Sequence, residues 1–546
     1  MTAFGIDYLA LPLETQVAQL FMVGYEGARP NTITERFLER GLGGLIFFRD
    51  NFDALQPQTP QAVWDLIQGL QAKIPTDLPR PLLGIDQEGG QVERLPHTVF
   101  PTGLTPRAIA LAPEPDDLAA SHYSAMADRL TGLGFNLVFF PTLDVNYQRQ
   151  NPIIGVRSFG DDPDTVWNLG RIALQCFEQV GLIAVGKHFP GHGNGTVDSH
   201  LDLPTLNFSP EELQPFQQAI QAGLPAMLVA HGYYPVLQTT EAERSLPSSA
   251  SPAIIQGLLR QQCGFEGVII TDDLCMGAIT KHRSPVEAAI ASLKAGVDIL
   301  LYKQSTEAEW AVYEAVVAAF RSGELPMILL EASLERIENL KAEYLRKSPP
   351  PLPEAEWTPA ALNAEADQWA DQGIGIVRGN PQCLPLATDS PVLLIHPGRA
   401  RMGNYAFDVP TSPELDNVLQ TAGFQHLVHQ SYPPREHFSA PELLESLPIE
   451  ALRNQPPQAI VFISFNPMLQ PDQAALYAQL QATFPNIPII VASAGTAYDT
   501  EVMPDAALHL SLCSYRPATL RALTQVLTTG FSALAKPQPS LATEPL

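Results

Sequence analysis

The run Lys187-His188-Phe189-Pro190-Gly191-His192-Gly193-Asn194-Gly195-Thr196-Val197-Asp198-Ser199-His200 carries a lysine and an imidazole out of a short apolar segment, Leu182 to Gly186. It leads into a glycine-rich loop that closes on an Asp-x-His pair. A carboxylate two residues from an imidazole orients the ring and stabilises its protonated form, so Asp198 behind His200 suits that histidine to proton transfer near neutral pH. The glycines and the proline exclude regular helix, which leaves the imidazole on a loop. Taken alone, the pair reads equally as an Asp-capped turn beside a surface histidine.

The pair is not alone. Besides the run that ends in Lys187 and His188, four more strand-like runs lead into polar groups: Gly84-Ile85-Asp86, followed by Gln-Glu-Gly-Gly and then Arg94; Asn151 to Gly160 with Arg157; His231; and Thr271-Asp272-Asp273. Each has a plain structural reading, as a turn, a surface ion pair or a helix cap. A carboxylate at the end of the otherwise apolar run Val268 to Asp272 is rigidly mounted and ionised, as a nucleophile toward an anomeric carbon must be. His200 would then protonate the leaving oxygen. Asp86, Arg94, Lys187 and His188 would supply the short-range donors and acceptors that neutral hydroxyls need. Asp273 is expected to cap a helix that follows from Leu274.

These groups need a frame that gathers strand ends. Eight short β-branched or aromatic runs occur in the first 345 residues: Val17 to Gly24, Gly44 to Phe48, Pro81 to Asp86, Phe135 to Pro141, Leu182 to His188, Ala226 to His231, Gly267 to Asp272 and Val297 to Tyr302. Helical patterns fall between them at Pro60 to Lys73, Pro115 to Leu133, Pro163 to Val180, Pro210 to Ala222 and Ala253 to Gln262, several opening on proline. Runs apolar on both faces and separated by helices imply parallel strands covered on both sides. Eight such units predict a (β/α)8 barrel over 1–345, whose reacting groups collect at the carboxyl ends of the strands. The same periodicity is compatible with a doubly wound open sheet.

Ser348-Pro-Pro-Pro-Leu-Pro353 cannot continue a helix and marks a stiff linker, 346–359. Beyond it, runs at Gly373 to Val377, Pro391 to His396, His426 to His429, Ala459 to Phe465, Ile487 to Ala492 and Ala507 to Leu512 read as buried strands. Helices are predicted at Ser412 to Ala422, Pro471 to Phe484 and Pro517 to Thr529, giving a smaller α/β sandwich over 360–535 with no catalytic constellation of its own. A proline-rich tail, 536–546, closes the chain.

Composition narrows the classes. A chain of 546 residues with 45% hydrophobic and 16% charged residues is globular and too long for one ordinary core. The net charge of −26 repels nucleic acid and anionic lipid. Five cysteines, odd in number, far apart and never spaced C-x-x-C, indicate neither a disulfide framework nor a zinc knuckle. No segment reaches transmembrane length, and Met1 to Glu14 lacks the pattern of a secretory leader, so the expectation is a cytoplasmic protein without a membrane partner.

Taken together, Asp86-Gln-Glu-Gly-Gly-Gln-Val-Glu-Arg94, Ile154-Gly-Val-Arg157-Ser-Phe-Gly, Lys187-His-Phe-Pro-Gly-His-Gly with Asp198-Ser-His200, and Thr271-Asp-Asp-Leu-Cys-Met276 resemble the β-N-acetylglucosaminidases of glycoside hydrolase family 3, the NagZ type in its two-domain form. The resemblance implies Asp272 as nucleophile, His200 as general acid/base oriented by Asp198, and Asp86, Arg94, Arg157, Lys187 and His188 as contacts to the terminal sugar, with His231 a weaker transfer. It implies no cofactor and no metal, a carbohydrate or muropeptide substrate drawn from peptidoglycan recycling, and a monomer or homodimer. The family's β-glucosidase and β-xylosidase branch places a carboxylate in the acid/base role, against which the Asp-Ser-His loop argues. A histidine there adds no second negative charge beside Asp272, so phosphate as acceptor, a phosphorolysis, stands as an alternative to water. The rival chemistries are attack by the substrate's own acetamido group, a metal hydrolase built on His188, His192, Asp198 and His200, and a non-catalytic sugar-binding module.

Overall fold

Eight short runs, each buried along its whole length, pair side by side in the computed structural model, which describes residues 6–195, 202–244, 246–345, 357–398, 423–433 and 437–531. They are β1 (Phe21–Val23), β2 (Gly44–Phe47), β3 (Leu82–Ile85), β4 (Leu137–Val138), β5 (Ile183–Phe189), β6 (Ala226–Val229), β7 (Val268–Thr271) and β8 (Leu300–Tyr302). Neighbours follow sequence order from β1 to β7, all parallel, and β8 returns to pair with β1. A parallel bridge between Ile270 and Ile299, with Thr271 N–H donating to Ile299 O at 3.0 Å, joins β7 to β8 and closes the ring. The predicted barrel is therefore the observed one, and the open-sheet alternative is not.

The helices between strands are set by local chemistry. Pro163–Val180 begins with Asp162 accepting from Thr165 N at 2.8 Å and ends at Gly181 in the left-handed region. Pro285–Ala295 opens on a capping box between Ser284 and Glu287. Three sequence expectations shift. Val17 and Ala18 belong to the helix Leu13–Ala18, and the strand begins only at Phe21, because a buried helix end and a buried strand share the same apolar run. Asp273 does not cap a helix from Leu274; the next helix is Gly277–Thr280, preceded by Met276. Ala253–Gln262 widens into π-type bonding, with Cys263 N–H reaching Leu258 O at 2.8 Å.

The second sheet comprises β9 (Gly375–Gly379), β10 (Val392–Pro397), β11 (Leu427–Tyr432), β12 (Ala459–Ser464), β13 (Ile489–Ser493) and β14 (Leu508–Ser511), in the order β11-β10-β12-β13-β14-β9 with only β9 antiparallel. Alternate side chains face two separate apolar clusters. Val461, Ile490 and Leu510 lie in one and Phe462, Ile489 and Val491 in the other, the arrangement of a sheet covered on both sides. A helix at Pro359–Gly373, absent from the sequence expectations, sets the Trp369 ring 4.6 Å from that of His122 on the barrel helix Pro115–Leu133. The expected linker core Ser348 to Pro353, the helix Ser412 to Ala422 and the tail 536–546 lie outside the described residues.

Serines 464, 493 and 511 end β12, β13 and β14 in one register row, and the loops that follow them meet the barrel. Met468 O accepts from Gln150 at 3.4 Å, Tyr498 Oη from Asn146 at 3.3 Å, and Cys513 O from Thr105 at 3.2 Å. Glu501 pairs with Arg149. The carboxyl edge, where open α/β sheets form their crevice, is thus spent on the neighbouring domain. Among the described residues no helix is long and apolar enough to cross a membrane.

Candidate active site

At the carboxyl end of β3, Asp86 sits between two cations. Its Oδ1 is 2.8 Å from Lys187 Nζ, at the end of β5, and its Oδ2 is 3.2 Å from Arg94 Nη2. Two residues on, Glu88 is fully buried and receives Lys187 Nζ at 2.6 Å and a two-pronged bond from Arg157, Nε at 2.9 Å and Nη2 at 2.8 Å. Burial pushes both carboxyls up, yet the surrounding cations win: Glu88 is lowered to about 2 by Arg157 and Lys187, and Asp86 is lowered further by Lys187, Arg94 and Arg157. Both are ionised at neutral pH, and their charges hold the cations in place in turn. The four residues Asp86, Arg94, Arg157 and Lys187 named from sequence are brought together here.

Solvent access divides the cluster. Asp86, Arg94 and Arg157 keep 17%, 19% and 13% of their side-chain surface, whereas Glu88 has none and Lys187 only 2%. Each oxygen of Asp86 has one cation and a further lone pair for a ligand hydroxyl. Glu88 has no open side and serves as the buried counter-charge.

His188 follows Lys187. Its Nδ1 is 2.6 Å from Asp144 Oδ2 and its Nε2 is 3.1 Å from Arg157 Nη2. A guanidinium can only donate, so Nε2 accepts and the ring proton sits on Nδ1, donated to Asp144. Asp144 also takes the backbone N–H of His192 at 2.6 Å and is lowered, the burial penalty being outweighed by His188. Three carboxylates (Asp86, Glu88, Asp144) thus face three permanent cations (Arg94, Arg157, Lys187). His188, offered from sequence as a sugar contact, is committed through both nitrogens to Asp144 and Arg157.

Two glycines make the geometry feasible. Gly90 lies at φ +59°, and a Cβ there would meet Thr105 Cγ2 at 2.2 Å; at Gly193 a Cβ would sit 1.6 Å from Val145 O. The first lets the segment after Glu88 fold back, with Arg94 N–H on Gln87 Oε1 at 2.9 Å, returning Arg94 to Asp86.

Asp272 stands directly after β7, its backbone N–H on Val229 O at 2.9 Å and its Oδ1 accepting from Asp273 N at 2.8 Å. Asp273 is the tie below it: its Oδ1 accepts from Cys275 N and Lys303 N, both at 3.0 Å, fastening the ends of β7 and β8. His231, from the end of β6, bonds Ser249 Oγ at 2.7 Å and Asp273 O at 3.1 Å. It therefore buttresses the turn that carries Asp272. His192 is buried, lowered to about 4 by burial, and feels the charge of Asp272.

Asp198 and His200 lie outside the described residues. The loop is described up to Gly195, where Asn194 is bonded to the buried carboxyl of Glu212. That carboxyl is raised to about 9 by burial and by Asp144. Sequence reading missed Asp144 and passed over Glu88 inside a motif it quoted. Asp144 could have been found by the rule applied elsewhere, since it follows the apolar run Phe139-Phe140 at the end of β4. Nothing in the sequence separated Glu88 from its turn.

A family model described as the glycosyl hydrolase family 3 N-terminal domain matches residues 12–340. A beta-hexosaminidase A of Pseudoalteromonas piscicida is 34% identical over 343 residues, 58% of this chain and 56% of that protein, so the chain spans little more than half the relative's length. A beta-hexosaminidase of Hydrogenovibrio crunogenus is 33% identical over 276 residues, covering 49% of this chain and 73% of the relative. Among solved structures, a glycoside hydrolase family 3 beta-N-acetylglucosaminidase from Paenibacillus superposes with a TM-score of 0.82 at 31% identity, covering 98% of this chain and 100% of the other.

Proposed function

Because the chain belongs to glycoside hydrolase family 3, we propose that it is a retaining exo-β-N-acetylglucosaminidase that removes terminal non-reducing β-linked N-acetylglucosamine. The reading is supported by relatives named beta-hexosaminidase and by the Paenibacillus likeness over both domains. The observation that carries it is the charge-balanced cluster at the ends of β3 and β5, where Asp86 and Arg94 present an acceptor and a donor side by side to the opening. Paired, neutralised charges of this kind bind hydroxyls of an uncharged sugar without attracting bulk ions.

In this mechanism an Asp272 oxygen bonds to the anomeric carbon as the glycosidic bond breaks, and the departing oxygen takes the proton of His200, held in position by Asp198. His200, now neutral, removes a proton from water; the resulting hydroxyl attacks the anomeric carbon and Asp272 leaves with its electron pair. Asp86, Arg94 and Arg157 hold the sugar, Lys187 holds Asp86, His188 holds Arg157, and His231 supports the turn that carries Asp272. The cellular role we propose is trimming of peptidoglycan fragments during wall recycling, in the cytoplasm, in keeping with five cysteines that are all free thiols.

A panel of aryl β-glycosides tests the activity. The N-acetylglucosaminide should be turned over far faster than the glucoside or xyloside, and the rate should not depend on phosphate. Preference for glucoside, or release of a sugar phosphate, overturns the reading. A fluorinated glycoside should leave a covalent adduct on Asp272 by intact mass and peptide mapping; turnover with no adduct would instead favour attack by the acetamido group.

A further inference from the structure

We propose that Arg516, contributed by the second domain, is a positioning residue for the sugar site: it clamps the loop 87–95 and so fixes Asp86 and Arg94 relative to each other. Arg516 Nε and Nη2 both donate to Gly90 O, at 3.0 and 2.9 Å, and the guanidinium lies 3.7 Å from Glu93 Oε2. Within the loop it grips, Glu88 N–H donates to Val92 O, Val92 N–H to Gly89 O, Gly90 N–H to Gly103 O, Gly103 N–H to Glu93 Oε1, and Arg94 and Leu95 N–H to Gln87 Oε1, while Glu88 is fixed by Arg157 and Lys187, so that Gly89 and Gly90 lie between the anchored ends. Its backbone is soft where Arg516 attaches, since Gly89 and Gly90 both sit at positive φ. One end of that loop carries Asp86 and Glu88, the other Arg94. A displacement of Gly90 therefore moves both sides of the Asp86 to Arg94 pair.

The domain edge that supplies Arg516 shows the marks of a built contact. Among the described residues, the only two non-glycine positions at positive φ are Asn466, at 46°, and Cys513, at 50°, and both lie on the loops that face the barrel. Such conformations persist where surrounding contacts over-determine them. Asn466 is held through Thr496 N–H on its Oδ1 at 2.8 Å, and Cys513 through Thr105 on its carbonyl. Arg516 keeps 11% of its side-chain surface and Glu93 only 1%, so the clamp is mostly buried. Buried donors paired to a carbonyl and a carboxylate give a rigid attachment that a surface pair would not.

The inference rests on the reading of Asp86 and Arg94 as sugar contacts, and its test separates the two. The full chain is compared as wild type, Arg516→Ala, Arg516→Lys and Glu365→Gln. The last removes the ion pair between Arg129 of the barrel and Glu365 of the helix Pro359–Gly373, a domain contact that does not touch the loop 87–95. Hydrogen exchange of the peptide spanning 87–95 should rise in Arg516→Ala and stay at the wild-type level in Glu365→Gln. KM for the aryl N-acetylglucosaminide should rise by about tenfold or more in Arg516→Ala with a smaller fall in kcat, and Arg516→Lys should recover part of it. Wild-type exchange and KM in folded Arg516→Ala overturn the proposal. If Arg516→Ala yields no folded protein, Arg516→Lys decides, unchanged exchange and KM overturning it. Raised exchange in Arg516→Ala, together with a wild type that has no N-acetylglucosaminidase activity, keeps the clamp and rejects the functional reading.

Discussion

Arg157 holds Glu88 by two parallel bonds, Nε 2.9 Å from Oε2 and Nη2 2.8 Å from Oε1, and Glu88 has no solvent-exposed side-chain surface. Lys187 completes the same carboxylate at 2.6 Å, so a single buried anion fixes two of the cations of the proposed sugar site. Glu88→Gln keeps the shape and removes the charge. Two cations then face each other in a poorly solvated place, at a cost of about 3–5 kcal/mol in stability. Chemical denaturation should register that loss, and KM for the glycoside should rise. A variant as stable as wild type would mean that the pair is screened in a way its burial denies.

Stability should depend on pH with two opposite slopes. Glu88 is lowered to about 2 and Asp86 is also lowered, so the folded chain keeps both ionised where the unfolded chain takes up protons. Their stabilisation is fully present above the unfolded value of 4.5 for Glu88 and drains away as pH falls toward about 2. Glu212, raised from 4.5 to about 9, does the reverse: the folded chain keeps a proton that the unfolded chain releases, and stability declines as pH rises across that interval. Glu212→Gln preserves a neutral side chain whose oxygen accepts from Asn194. Its Tm should fall less than that of wild type between those two pH values, and parallel Tm curves would remove Glu212 from the account.

The barrel strands were legible because each run is apolar on both faces, a signal that parallel strands under helices cannot avoid giving. What the pattern could not give was the start of β1, since Val17 serves equally in a buried helix end, or the role of Asp273, whose partner Lys303 N lies 30 residues away. The same distance effect hid the supports. Asp86 and Arg94 stand eight residues apart and read as one motif, whereas Asp144 meets His188 across 44 residues and Glu88 meets Arg157 across 69. Groups that touch a ligand cluster in loops and show as motifs. Groups that hold them come from other strands and look like ordinary polar residues until the ring is closed.

Replacing Asp272 by Asn removes the proposed nucleophile while leaving Asp86, Arg94 and Arg157 untouched. Turnover should fall by about three orders of magnitude or more, and inhibition by free N-acetylglucosamine should persist near its wild-type strength. Turnover within tenfold of wild type would exclude covalent catalysis by this carboxylate and would fit a sugar-binding module with an adventitious activity.

His200→Ala should discriminate among substrates by their leaving groups. A departing alkoxide needs the proton that, in the proposed mechanism, the His200 imidazolium would supply, and loss of such an acid costs about 10²–10⁴-fold. A nitrophenolate leaves without help, so the first step with an aryl glycoside should be nearly spared and the glycosyl-enzyme should accumulate, because the base that activates water is gone as well. Intact-mass analysis during turnover should then detect the adduct on Asp272, and azide, which attacks without a base, should restore the rate. Equal losses for good and poor leaving groups, with no adduct and no rescue, would assign the proton to another group and leave the Asp198-Ser199-His200 loop a structural turn.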